Sequence, residues 1–317
     1  MTDNLESDQE GLVPSGKREL STVRPDLFRR GLELVANLEK SARVIAFLED
    51  RSVGKLFVTY TVDSPVSHKC TEFLCEAQGT ISVSAGNHLL LEIGEQYPSD
   101  LSSLTRLMPG DLDSLTIKNG HVGDHELTCL RGLTRLRELL LVYCWKITDD
   151  GLLHLRGLNA LQSVLIEGSR IGDSGLAHLQ SLPALQDLHL TNTQVTSAGL
   201  STLQNFPALR SCKLWYTDTI NDAGLVHLGR LTKLEQLSLT GTKISDAGLS
   251  HLRKMTGLRS LSLSETAVSD AGLEYLKDLK NLKGLVLSAT SVTDAGLSRI
   301  RNYLLDCKIV RWKEPES

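Results

Sequence analysis

From residue 112 onward the apolar positions recur in one fixed order, eight times over. The clearest copy runs Leu185-Gln-Asp-Leu-His-Leu-Thr-Asn-Thr-Gln-Val-Thr-Ser-Ala-Gly-Leu200, and residues 234–249 and 258–273 follow the same plan. Units open at Leu112, Leu136, Leu161, Leu185, Leu209, Leu234, Leu258 and Leu282, at intervals of 24, 25, 24, 24, 25, 24 and 24 residues. The first half of each unit, L-x-x-L-x-L, alternates apolar and polar, which predicts a short strand with one buried face. The second half spaces its apolar residues as one side of a short helix, for example Ile244, Leu249, Leu252 and Met255. The Ser/Thr-Asp pair before that helix is expected to accept hydrogen bonds from its first amides. Neither half can bury its apolar side alone, so the copies must stack around a shared leucine core.

This pattern resembles the leucine-rich-repeat family. The segment I-[ST]-D-x-G-L-x-x-L is similar to the subclass shared by ribonuclease-inhibitor-like and F-box-associated repeat proteins and by planctomycete-type bacterial repeat proteins. Tyr143-Cys144-Trp145-Lys146-Ile147-Thr148-Asp149 is similar to the cysteine-containing variant, while Ser169, Thr193, Thr217, Thr242, Thr266 and Thr290 hold the Cys144 place elsewhere. The resemblance spans roughly residues 100–313. It implies an α/β leucine-rich-repeat solenoid, with parallel strands on the concave side and helices on the convex side; a non-catalytic, protein-binding role is expected because no catalytic constellation accompanies the repeats.

The ends of the chain read differently. A disordered tail is expected over 1–25, a helix over 26–50, a small β-rich domain over 51–98 and an N-terminal cap over 99–111. The repeats occupy 112–313 and close with a helix and a last strand as C-terminal cap. Within 51–98, strands are expected at 53–62, 80–83 and 89–93, with turns at Asp63-Ser-Pro65 and Ala85-Gly-Asn87.

In each strand the third, fifth and seventh residues point away from the core. The last three units place small, mostly hydroxylated residues there. Units two to five place Leu140, Val142, Leu165, His189 and Trp215 among Glu138, Glu167, Asp187 and Lys213, with Tyr143, Trp145 and Tyr216 at the following turns. Both 25-residue units carry these turn aromatics. The aromatics could fold over the solenoid edge and only pack, or form a partner surface. The second reading is preferred, because apolar groups on a solvent-facing sheet call for a cover and aromatics beside charges make binding hot spots.

Composition narrows the function further. Of the 317 residues, 41% are hydrophobic and 4% aromatic, with a net charge of -4. No basic run in the sequence would neutralise a phosphate backbone, so nucleic acid is a poor partner. Met1–Glu10 lacks a secretory leader's basic start and apolar core, and no apolar run reaches the ~20 residues that span a bilayer. The expectation is therefore a cytoplasmic monomer, off the membrane and without cofactor, whose scattered cysteines stay free thiols.

Several patterns imitate chemistry. His154, His178, His227 and His251 recur on the helices, and Asp124, Asp149, Asp173, Asp222, Asp246, Asp270 and Asp294 form a ladder with Ser197 at one rung. Repetition explains the first and helix capping the second, since serine replaces aspartate in a cap but not at calcium. His68, Cys70 and Cys75 cluster in an expected loop without a fourth zinc ligand. No phosphate loop or nucleophile motif appears. An F-box adaptor of a ubiquitin ligase is the alternative reading, although an F-box is a three-helix unit and only one helix is expected before the β-rich segment.

Overall fold

The computed structural model describes residues 42–62, 68–84 and 88–312. Each repeat contributes one strand: β6 (Ser114–Lys118), β7 (Glu138–Val142), β8 (Ser163–Glu167), β9 (Asp187–Thr191), β10 (Ser211–Trp215), β11 (Gln236–Ser238), β12 (Ser260–Ser262) and β13 (Gly284–Val286). They pair in parallel, each with the next, and β14 (Lys308–Val310) closes the row. Apolar residues of successive units stand opposite one another, as in Leu139–Val164–Leu188–Cys212–Leu237–Leu261–Leu285. All of these are buried. The return segments are short α-helices or 3-10 turns, for example Asp222–Leu228 and Gly199–Asn205.

At the N-terminal end the parallel sheet continues past the first repeat. Strand β5 (His88–Gly94) lies parallel to β6 with Leu91 opposite Leu115, an offset of 24 residues. A degenerate unit therefore precedes the eight, with His88 where the opening leucine would stand. Beyond β5 the sheet turns antiparallel through β2 (Lys55–Val62) and β3 (His68–Glu76). A separate two-stranded sheet pairs β1 (Ala42–Ala46) with β4 (Thr80–Ser84). The β-rich segment thus caps the solenoid by joining its sheet.

Two expectations need correction here. Residues 42–50, expected as the end of a helix, contain strand β1 and no helix. The reason is a two-residue alternation at a β-branched pair: Ile45 is 0% exposed and Val44 61%. The segment from His68 to Cys75, expected as a loop, is strand β3. The expected tail, residues 26–41 of the expected helix, both expected turns and the chain end at 313–317 lie outside the described residues.

The aspartate ladder also acts differently from the expected cap. Asp124, Asp149, Asp173, Asp222, Asp246 and Asp270 each reach the next unit rather than the amides of their own helix, and Asp294 in the last unit meets Arg311. Asp222 accepts from the amide and hydroxyl of Ser245 at 2.8 and 2.5 Å, and Asp246 from those of Ser269 at 2.7 and 2.5 Å. Asp124 with Thr148, Asp173 with Thr196 and Asp270 with Thr293 repeat the clamp. The serine does cap its own helix, Ser269 Oγ accepting from the Ala271 amide at 3.3 Å. The arriving carboxylate also dictates the glycine two residues after each helix-starting aspartate: a Cβ on Gly248 or Gly272 would collide with Asp222 or Asp246. Where Ser197 replaces aspartate its partner changes too. The Asn221 amide donates to Ser197 Oγ at 3.0 Å, and a Cβ on Gly224 would stand 3.1 Å from that oxygen.

Candidate protein-binding face

The strand register places the expected site residues in three parallel rows on the concave face. One row is Glu138–Ser163–Asp187–Ser211, the middle row Leu140–Leu165–His189–Lys213, and the third Val142–Glu167–Thr191–Trp215. Leu140 and Leu165 stand side by side and half-buried, while their strand neighbours Leu139, Leu141, Val164 and Ile166 are fully buried. Carboxylates border this pair: Glu138 and Asp187 in the first row, Glu167 in the third. The apolar row ends at Lys213, whose ammonium lies 5.5 Å from the centre of the Trp215 ring. Between them, His189 is pushed down to about 4, first by burial and then by Lys213, against the opposing pull of Asp187. At neutral pH it is an uncharged imidazole, so the middle row passes from apolar to cationic in four residues.

Further along, the face becomes a closed polar chain. Trp215 Nε1 donates to Ser238 Oγ at 2.7 Å, Ser238 lies 3.1 Å from the Thr240 hydroxyl, and Thr240 lies 3.0 Å from that of Ser262. These groups satisfy one another and need no partner.

The turn aromatics pack and remain exposed at once. After each strand of units two to eight the chain turns out of the sheet through a left-handed residue, at Tyr143, Gly168, Asn192, Tyr216, Gly241, Glu265 and Ala289. From Tyr143 to Glu265 these amides still join the ladder, Tyr143 donating to Glu167 O at 2.8 Å and Tyr216 to Thr240 O at 2.9 Å. Both tyrosine rings then cover the glycine of the following unit, Gly168 and Gly241. The Tyr143 hydroxyl is raised by its hydrogen bond to Glu167, and that of Tyr216 by its bond to Glu265. Trp145 lies against Gly120 of the preceding unit and 6.1 Å from the Tyr143 ring. Even so, Tyr143, Trp145, Trp215 and Tyr216 keep 49%, 50%, 38% and 49% of their surface in contact with solvent.

Reading the sequence missed Ser238, Glu265 and the glycines Gly120, Gly168 and Gly241 as supports of this surface. A signal existed for two of them. In both tyrosine units the equivalent position one unit later is glycine, which the period makes visible.

Among the described residues no three histidines, cysteines, aspartates or glutamates are grouped to hold a metal ion. Two of the helical histidines meet arginines of the preceding unit instead, Arg131 with His154 Nδ1 at 2.7 Å and Arg156 with His178 Nδ1 at 3.3 Å, while His227 Nδ1 is buried without a partner. Cys144 and Cys212 are buried free thiols, and burial pushes Cys212 up to about 12. Among the described residues no helix is long and apolar enough to cross a membrane.

Residues 230–252 match the family model described as Leucine Rich repeat. The fold is a leucine-rich-repeat solenoid. No curated protein matches the chain. Among solved structures it is similar to an internalin C2 (inlC2) from Listeria monocytogenes str. 4b F2365, at 20% identity over 70% of this chain and 80% of that one, with a TM-score of 0.38.

Proposed function

We propose that this solenoid is a non-catalytic interaction module that holds a protein partner on the concave face and adjoining turns of units two to five. One observation carries the reading: Leu140 and Leu165, adjacent in register and only partly buried, within a border of Glu138, Asp187 and Glu167. In a solenoid whose helices cover one face of the sheet, leucines belong on that face, and here two stand on the open one. Such a patch is stabilised by a partner that covers the leucines with an apolar side chain and meets the carboxylates with cations. Tyr143, Trp145 and Tyr216, held rigid by their packing on neighbouring units, offer contact area at little entropic cost.

The test is affinity capture from a lysate of the source cells with the native chain and with Leu140→Ser plus Leu165→Ser, both checked by circular dichroism. The expected result is a protein retained by the native chain, lost by the variant, and bound directly when purified. Identical capture by both would overturn the reading.

A further inference from the structure

The period that stacks leucines also stacks cations. On the edge where each helix returns to the next strand, the chain between residues 210 and 259 sets Arg210, Arg230, Lys233, Arg253, Lys254 and Arg259. No more than two are adjacent in sequence, so no basic run announces them. The fold gathers them in threes, Arg210, Lys233 and Arg259 where the strands begin and Arg230, Arg253 and Lys254 among the outer helices.

Two grooves open there. The larger, of about 610 Å³, lies among the outer helices and is lined by Arg230, His251, Arg253 and Lys254, with Ser250 and a single carboxylate, Asp278. The smaller, of about 280 Å³, lies where the strands begin and is lined by Arg210, Lys233 and Arg259 against one carboxylate, Glu235. Gly229 explains the larger groove. In the first two units its place is held by Arg131 and Arg156, whose side chains reach the next unit's histidine. A Cβ at Gly229 would run into the carbonyl of His251, so unit five carries no such arm and the space stays open.

The cations are available. Arg230, Lys233 and Lys254 make no ion pair among the described residues. Arg253 and Arg259 meet Asp278 and Glu235 at 3.6 and 3.5 Å, with both partners of each pair exposed. Such pairs hold their members weakly. The Arg210 guanidinium donates to the Lys233 carbonyl at 3.2 Å, which points it along the edge.

We propose that this edge of units five to seven binds an acidic polypeptide segment. Neighbouring strands lie about 4.8 Å apart, and an extended chain presents same-side carboxylates every ~6.8 Å, a mismatch that long Arg and Lys side chains absorb. Guanidinium groups suit carboxylates because they bind them through two hydrogen bonds. No phenylalanine, tyrosine or tryptophan lines either groove, so a single-stranded nucleic acid lacks the large stacking rings its bases favour. The surface is separate from the concave face, whose border is acidic.

The test uses the full chain and a fluorescein-labelled peptide of alternating glutamate and serine, read by anisotropy. Saturable binding that weakens as salt rises is expected. Arg230→Glu with Lys254→Glu should reduce affinity by about tenfold, and Asp278→Asn, which releases Arg253, should raise it about twofold. Lys146→Glu, on the opposite edge, should leave it unchanged, with thermal melts showing all variants folded. No saturable binding, equal loss with Lys146→Glu, or equal affinity for a single-stranded oligonucleotide of the same charge would each overturn the proposal.

Discussion

The ring of Tyr216 lies over Gly241, the residue in its own place one unit later, and its hydroxyl donates to Glu265 Oε1 a further unit on, at 2.9 Å. Both Tyr216 and Gly241 are left-handed, with φ of 50 and 68. Ala289 holds the same place with φ 51, so alanine can adopt this backbone at a cost. Gly241→Ala is therefore expected to destabilise the protein by about 2–4 kcal/mol, the sum of backbone strain and collision with the ring. Combining it with Tyr216→Ala should restore about 1 kcal/mol or more in a double-mutant cycle by chemical denaturation. Strictly additive effects would show that the ring does not fill the glycine's space.

The aspartate clamp makes a second prediction. Asp246→Ala leaves the Ser269 amide and hydroxyl without their acceptor and should cost about 2–3 kcal/mol, because charge-assisted bonds between units are lost together. The unit that lacks the clamp can be given it. Ser197→Asp with Asn221→Ser should stabilise by about 1 kcal/mol in urea unfolding, whereas Ser197→Asp alone should not, since Asn221 turns its acceptor Oδ1, which also caps Ala223, toward residue 197. Equal effects of the single and double changes would count against the clamp.

His189 sets a pH dependence. Its folded value, about 4, lies below the 6.5 of an ordinary imidazole, so the unfolded chain binds the proton more readily. Stability from this group is complete above about 6.5 and falls as pH drops toward 4, by roughly 1–2 kcal/mol once its partial exposure is allowed for. His189→Gln should flatten that slope in melts across the window. Asp270, whose carboxyl is held low by the hydroxyl and amide of Thr293, shows its own loss only in more acidic solution. An unchanged slope in His189→Gln would assign the titration elsewhere.

The buried hydroxyls at the Cys144 position are not equivalent. Thr242 Oγ1 donates to the Leu239 carbonyl at 2.6 Å, while Thr193 Oγ1 is buried without a partner. Thr242→Val should cost about 1 kcal/mol and Thr193→Val should be neutral or stabilising. Calorimetric midpoints of the two variants moving together would contradict the assignment.

The sequence by itself determined the solenoid. A 24-residue period of alternating, then helically spaced leucines can be buried only by stacking the copies in register, and alternation alone says which strand residues face outward. The concave rows of Leu140, Leu165, His189 and Trp215 were legible for that reason. Tertiary structure decided what touches what between units. Asp222 could serve its own helix or Ser245 in the next unit, and only the offset between stacked helices selects the second. Ile45 could belong to a helix or a strand until β4 supplied a partner. The cations of the returning edge show the same principle. Spaced through the sequence they form no run, and stacking of the units gathers them around two grooves, because proximity in a solenoid is set by the period and not by distance along the chain.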